Sequence, residues 1–321
     1  MPDLSQPLPI ATRKSPLALV QAYLVQAKLA AAHGIPEHDR DRVFPILGLV
    51  STGDKIQDRT LLEAGGKGLF TKEIDEAQLG GDAVFAVHSM KDVPTVLPER
   101  LILAAILERE DPRDMLLARG GETRLADLPE GALIGTASLR RQAQLLHARP
   151  DLSVIPLRGN VDTRLKKLRD GDVYATFLAR AGLKRLERAE AEAPALDIAE
   201  MLPAAAQGAI GVTVRADDAN GLELVRALNH EHTERAIAAE RGFLEALDGS
   251  CRTPIAAHVN MESLDFLGEV LSPDGRTRWR ESTRLDLSRT NLDDAAEAGR
   301  KLANAVRQQA GDKLKDALGM T

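Results

Sequence analysis

A single cysteine, Cys251, stands in the run Leu247-Asp248-Gly249-Ser250-Cys251-Arg252-Thr253-Pro254. One thiol makes neither an internal disulfide nor a cysteine metal site. It is a small core residue or a group with one chemical task. Gly, Ser, Arg, Thr and Pro around it mark a polar turn rather than an apolar stretch. It follows the expected end of a helix, whose partial negative charge opposes thiolate formation, and Arg252 is the only adjacent cation. That setting suits a cysteine used once, to hold a group permanently, better than a nucleophile used in every turnover.

The second chemical signal is a series of basic and hydroxyl side chains behind apolar runs. Arg13, Lys14 and Ser15 follow the first run; Ser89, Lys91 and Asp92 follow 83–87; Ser138, Arg140 and Arg141 follow 133–136. Arg158, Asn160 and Arg164 follow 154–157, and Arg180, Lys184 and Arg185 follow 173–178. Ligands of open α/β sheets gather outside the carboxyl ends of strands. Ser138 is a good N-cap, so Arg140 and Arg141 fall in a first helical turn, where cations cost about 0.3–1 kcal/mol each. Free N–H groups with two guanidinium forks make an anion site there instead. Arginine outnumbers lysine at these positions, which suits two-pronged recognition of carboxylate or phosphate. Asp92, beside Lys91, is a carboxylate that such a basic cleft keeps ionised, able to move a proton or steady a cation. The alternative for Asp92 is a turn-fixing role before Pro94. His88 reads as a half-buried histidine, and the seven histidines show no metal-ligand spacing. Gly65-Gly66-Lys67-Gly68 reads as a flexible loop carrying a lysine, and no Gly-x-x-x-x-Gly-Lys-Ser/Thr phosphate loop occurs.

The elements that must position these groups alternate in type. Strands are expected at 8–12, 43–50, 83–87 and 101–107, with a helix capped by Ser15, opened by Pro16 and ended by Gly34-Ile35-Pro36. The charged run 108–114 marks a boundary. The pattern then restarts with strands at 133–136, 154–157 and 173–178, each followed by a helix, which indicates mostly parallel sheets. A strand at 209–214 could return to the first domain. From His230 the character changes to a helix at 233–247, three strands at 255–259, 266–271 and 278–285, and a long closing helix. Ser272-Pro273-Asp274-Gly275 joins the last two strands as a hairpin. On the closing helix Gly299 leaves a gap in the apolar face of Leu292, Ala295, Ala296, Leu302, Ala303 and Val306. The expected division is 1–108 with 207–228, then 109–206, then 229–321: two α/β domains and a small α+β domain.

Composition bounds the function classes. The 321 residues suit two or three domains at roughly 150 residues each. A net charge of -6 argues against binding nucleic acid over the whole surface, and 3% aromatics against stacking platforms for single strands. No apolar run approaches the ~20 residues of a membrane span. The N-terminus lacks the pattern of a secretion signal, so the cytoplasm is the expected compartment.

The chain resembles the porphobilinogen deaminase (hydroxymethylbilane synthase) family. The matching segments run in order: Ala11-Thr12-Arg13-Lys14-Ser15-Pro16-Leu17-Ala18, Gly65-Gly66-Lys67-Gly68-Leu69-Phe70 and Val87-His88-Ser89-Met90-Lys91-Asp92-Val93-Pro94. They continue with Arg109-Glu110-Asp111-Pro112-Arg113-Asp114, Gly135-Thr136-Ala137-Ser138-Leu139-Arg140-Arg141-Gln142 and Leu157-Arg158-Gly159-Asn160-Val161. Ala181-Gly182-Leu183-Lys184-Arg185 and Gly249-Ser250-Cys251-Arg252-Thr253-Pro254-Ile255 complete the set, while the region after about 260 carries little signature.

The resemblance implies two periplasmic-binding-protein-like α/β domains plus a small α+β C-terminal domain, with the cleft between the first two. It implies a dipyrromethane cofactor held by a thioether to Cys251. Four porphobilinogen molecules would add to it, each releasing ammonia, before hydrolysis frees linear hydroxymethylbilane. Asp92 matches the family's catalytic aspartate, which assists deamination and steadies the azafulvene-like cation. Arg13, Arg140, Arg141, Arg158, Arg164 and Arg185 match positions that grip pyrrole acetates and propionates. Ser15, Ser89, Lys91, Thr136, Ser138, Asn160 and Gln207 are the accompanying cofactor- or substrate-binding candidates, and Lys67 lies in the family's mobile loop over the cleft. No metal, nucleic acid or membrane partner is expected, and monomer is the family expectation.

Three positions depart from the family pattern: Glu63 where lysine is frequent, Ala206 where glycine usually precedes Gln207-Gly208, and Tyr174 in place of an aspartate before Ala175. The competing reading is a non-catalytic two-lobed binding protein for a small carboxylate or oxyanion. A weaker one is an enzyme using Cys251 as its turnover nucleophile.

Overall fold

The computed structural model describes residues 3–55, 68–248 and 253–318. Cys251, Lys67 and Glu63 lie outside them. The chain forms two compact units, the first from residues 3–55, 68–110 and 209–234, the second from the rest.

The first unit is built on a five-stranded sheet ordered β2-β1-β3-β9-β4. Here β1 is Ile10–Arg13, β2 Ile46–Leu49, β3 Phe85–Ser89, β4 Leu101–Ile106 and β9 Ile210–Arg215. Strands β1, β2 and β3 are parallel, and β9 alone runs against its neighbours β3 and β4. The expected return of this late strand to the first sheet is what the register shows, with Ser89 opposite Ile210. Arg13, Leu49 and Ser89 therefore end on one edge. Ile10, Val25, Leu29, Phe44, Phe85 and Val212 share the core beneath, and Phe44 meets Phe85 edge-on at 6.3 Å. The helix Pro16–Ala32 starts at Ser15, whose hydroxyl accepts from Ala18 N, with Pro16 in its first turn.

His88, expected half-buried, is buried outright. Thr213 Oγ1 donates to Gln78 Oε1 at 2.6 Å, so His88 Nε2, 3.1 Å from Thr213 Oγ1, is the donor there. Burial lowers its pKa to about 4, so it is neutral at pH 7.

The second unit holds two sheets. One has four strands in the order β5-β8-β6-β7: β5 Asp114–Ala118, β6 Leu133–Gly135, β7 Ser153–Ile155 and β8 Ala175–Ala179. Strand β6 is parallel to β7 and β8, whereas β5 is antiparallel to β8, with Asp114 opposite Ala179. The first residue of β5 thus lies at the edge where the other three strands end. Sequence reasoning placed Asp114 in a charged connector, and no strand was expected there.

The other sheet is an antiparallel β10-β11-β12 meander of Ile255–Val259, Asp265–Leu271 and Arg278–Arg284. The helices Glu231–Ala246 and Leu292–Ala310 share its core through Ala239, Phe243, Phe266, Leu302 and Val306. The gap at Gly299 is a close helix crossing: a Cβ there would come within 2.0 Å of Ala239 O. The expected hairpin turn forms, with Gly275 N donating to Ser272 O. Its tip seats on the helix Leu139–Ala148, where His147 Nδ1 donates to Gly275 O at 2.8 Å. Gly275 has φ +73°, and a Cβ would come 2.5 Å from His147 N, so only glycine permits this seat.

Two of the departures have a clear setting. Tyr174 immediately precedes β8, at the end of that strand opposite to Arg180, and donates to Glu122 Oε1 at 2.5 Å. Ala206 is buried at φ +62°, the left-handed region that favours glycine, and its N–H donates to Glu240 Oε2 at 2.6 Å.

Candidate active site

The first unit contributes a carboxylate in basic company. Arg13 is the last residue of β1, and Asp92 closes the single turn Met90–Asp92 after β3. Parallel pairing of β1 with β3 brings their ends together, leaving Arg13 Nη1 3.8 Å from Asp92 Oδ2, both half-buried. The Arg13 guanidinium carbon sits 4.5 Å from the centre of the Phe70 ring, a cation–π contact that fixes its plane. Thr12 Oγ1, fully buried, donates to Val87 O and so ties the two strand ends. Ser89 is held by Gln21, a buried amide whose Nε2 donates to its hydroxyl at 2.9 Å. Lys91, half-buried, stands beside Asp92 in the same turn. The hydroxyl of Ser15 serves as the helix cap.

The second unit contributes the cations. Thr136 Oγ1 accepts from Ser138 N at 3.1 Å, and Ser138 Oγ caps the helix Leu139–Ala148 by accepting from Arg141 N. Arg140 and Arg141 do fall in its first turn, yet they are buried to 4% and 6% exposure. The anion that the described residues supply to them is internal. Asp114 Oδ2 accepts from Arg140 Nη2 and Asp114 Oδ1 from Arg141 Nη2, each at 2.7 Å. Burial by itself would raise the Asp114 carboxyl, but Arg140 and then Arg141 outweigh it and hold its pKa well below the usual range. Gln207 joins this cluster, its Nε2 donating to Asp114 Oδ1 and to Pro112 O.

Along the same edge, Arg158 and Arg164 are half-buried around the β7 exit, and Arg164 Nε donates to Gly159 O at 3.0 Å. Asn160 is exposed and caps the helix Val161–Asp170 by accepting from Thr163 N. After β8, Arg185 donates to Gly208 O at 2.7 Å. Arg13, Ser89, Lys91 and Asp92 therefore lie together in one unit; in the other, Arg140, Arg141 and Gln207 gather around Asp114, with Thr136 and Ser138 at the start of the helix that carries the two arginines. Sequence reasoning missed three supporting residues: Gln21, Phe70 and Asp114. Phe70 and Asp114 each close a segment that matches the family, and Asp114 also opens the apolar run Met115-Leu116-Leu117.

A guest with several carboxylates fits this donor set. Arg141 Nε is buried without a hydrogen-bond partner among the described residues. Guanidinium groups and hydroxyls line strand exits, and the described residues hold no metal-ligating cluster.

The comparisons with known proteins agree with that chemistry. The model of the porphobilinogen deaminase dipyromethane cofactor binding domain matches residues 8–223, and that of the porphobilinogen deaminase C-terminal domain matches residues 235–308. The chain is 50% identical over 312 residues to porphobilinogen deaminase of Phenylobacterium zucineum, covering 95% of this chain and 97% of that one. It is 48% identical to the chloroplastic porphobilinogen deaminase of Oryza sativa, covering 96% of this chain and 86% of that one. Among solved structures it is similar to the BvgS periplasmic VFT2 domain of Bordetella pertussis, with 13% identity, a TM-score of 0.40, and 71% and 93% of the two chains covered. By its match to both family models and by its identity to these relatives, the chain belongs to the porphobilinogen deaminase family.

Proposed function

We propose that this chain is a porphobilinogen deaminase. It is a transferase that joins four porphobilinogen molecules head to tail, releasing ammonia at each addition, and then hydrolyses off linear hydroxymethylbilane in tetrapyrrole biosynthesis. The observation that carries the reading is the pairing of Asp92 with Arg13 at the strand edge of a chain that matches the cofactor-binding domain over residues 8–223. A two-lobed binding protein for a small carboxylate has no use for that cofactor domain, so the transferase reading is favoured.

Each addition breaks a carbon–nitrogen bond and forms a carbon–carbon bond. Ammonia leaves the aminomethyl carbon of porphobilinogen, a free pyrrole α-carbon attacks the cation that remains, and the α-proton is then lost. Cys251 would hold the dipyrromethane cofactor by a thioether, and the bound group would supply the first free α-carbon. Asp92 is the carboxylate that accepts pyrrole N–H hydrogen bonds and offsets the positive charge developing as ammonia leaves. Arg13, held on Phe70, keeps the Asp92 side chain in place and helps to hold a ring carboxylate. Ser89 and Lys91 act beside it. Thr136, Ser138, Arg140, Arg141, Arg158, Arg164 and Arg185 hold acetate and propionate arms, with Gln207, Asn160 and Ser15 shaping the strand exits. Lys67 and Cys251 belong to the same proposal from outside the described residues.

The proposed organisation is Asp92 in a first domain (1–108 with 207–228), the arginine pair in a second (109–206) and Cys251 in a third (229–321), in a cytoplasmic monomer. Among the described residues no helix is long and apolar enough to cross a membrane.

The test is the intact mass of the denatured protein. The wild type is expected to carry an adduct of dipyrromethane mass that Cys251→Ala lacks. An unmodified wild type that still turns over porphobilinogen would sink the reading.

A further inference from the structure

Asp114 has no role in the chemistry described so far, yet it is the most completely enclosed charge on the edge that carries the arginines. It is fully buried and accepts three hydrogen bonds: Oδ2 from Arg140, Oδ1 from Arg141 and Gln207. Both guanidinium groups are also pinned from the other side. Arg140 Nη1 donates to Leu202 O at 2.7 Å and Arg141 Nη1 to Phe177 O at 2.9 Å. Neither guanidinium can turn without breaking a buried charge-assisted bond.

The charges do not balance. Two guanidinium groups share one carboxylate, so the cluster keeps one positive charge. Glu269 acts on Arg140 electrostatically, but it is already matched by Arg280, whose Nη2 lies 2.6 Å from Glu269 Oε2. One donor is likewise left over: Arg141 Nε, buried and without a partner among the described residues. Stability alone does not explain such a cluster, because buried ion pairs are often no better than apolar packing of equal volume. A surplus charge beside a surplus donor is what one further carboxylate requires.

We propose that Asp114 is a positioning residue of the reaction. It neutralises one of the two guanidinium charges and locks both groups, so that the Arg140–Arg141 pair takes one carboxylate arm of a bound pyrrole. The inference rests on the function proposed above. The arm can belong to the cofactor or to the growing chain, and the two sources give different readouts.

The experiment compares wild type, Asp114→Asn, Asp114→Glu and Arg141→Leu as purified holoenzymes. Asn keeps the shape and removes the charge, whereas Glu keeps the charge. Thermal melting reports the fold, intact mass after denaturation reports the adduct-bearing fraction, and steady-state kinetics report KM and kcat. Asp114→Asn is expected to melt cooperatively. Its adduct-bearing fraction should fall about three-fold or more if the arm is the cofactor's; KM should rise about ten-fold, with kcat of the loaded enzyme within about three-fold, if it is the chain's. Asp114→Glu should recover most of either loss. Wild-type loading and KM in Asp114→Asn would overturn the proposal, as would an Asp114→Glu as impaired as Asp114→Asn. An Asp114→Asn protein that does not fold would overturn it too, since Asp114 then serves the fold. An impaired Arg141→Leu beside a normal Asp114→Asn removes this inference alone, while an unmodified wild type without turnover removes the reading beneath it.

Discussion

Arg13 and Asp92 stand 3.8 Å apart because two parallel strands, β1 and β3, end side by side. Both side chains are half-buried, so their attraction adds little to stability and the contact is better understood as alignment. Asp92→Ala removes a partly exposed carboxylate from a one-turn segment, and its melting point should stay within a few degrees of wild type, the shift of roughly 1 kcal/mol or less. Turnover of porphobilinogen should fall by at least about 100-fold, the usual scale for losing a positioned acid–base or charge-stabilising group. Turnover near the wild-type rate would remove Asp92 from the chemistry.

Arg13 also makes a prediction about shape rather than charge. Its guanidinium lies over Phe70 while one nitrogen faces Asp92. A lysine would keep the charge but lose the flat, forked group that does both at once. Arg13→Lys should therefore lower kcat/KM by about ten-fold, and Phe70→Leu should reproduce a smaller part of that loss. If Arg13→Lys behaves as wild type, the position needs only a cation and the stacking has no functional weight.

How far the sequence could be read differs between neighbouring residues. The Ser15-Pro16 and Ser138 helix starts were legible because capping is local chemistry. A strand at 209–214 that could return to the first domain was legible as an apolar run, and Ile210–Arg215 does pair with β3. The strand Asp114–Ala118 was not, because its first residue belongs to a charged run and its partner β8 lies far along the chain. For the same reason the arginine pair was read as facing an outside anion. Two guanidinium groups in a first turn demand a counter-charge, but nothing local says that Asp114 supplies part of it. Burial of His88 was missed because the residue follows an apolar run, where either side of the sheet is open to it by pattern alone.

That histidine sets a pH signature. Burial depresses its pKa to about 4 from an ordinary value of 6.5, so the unfolded chain takes up a proton that the fold refuses. Stability owed to His88 is therefore fully present above pH 6.5 and is lost as pH falls from there towards 4. The loss is on the order of 2–3 kcal/mol. His88→Gln keeps a donor for Thr213 Oγ1 and has no such titration. Denaturant unfolding at pH 7 and pH 4.5 should show wild type losing more stability than the variant over that interval. Equal losses would mean that the imidazole is protonated inside the fold.

Ala206 yields the last prediction. It occupies φ +62° with its methyl buried, directly before Gln207, and its N–H is fixed on the buried carboxylate of Glu240. Ala206→Gly relieves a left-handed conformation that costs a non-glycine residue roughly 1–2 kcal/mol. Against this stand the lost burial of one methyl, about 0.8 kcal/mol, and a more flexible unfolded chain, about 0.4–1 kcal/mol. The terms nearly cancel, so the glycine variant should differ in stability by less than about 1 kcal/mol. Ala206→Val adds a β-branched side chain at the same φ and should cost more than about 2 kcal/mol, because that region is closed to such residues. Denaturation midpoints of the two variants measure both effects. A valine variant as stable as wild type would show that the backbone at 206 relaxes away from its left-handed turn.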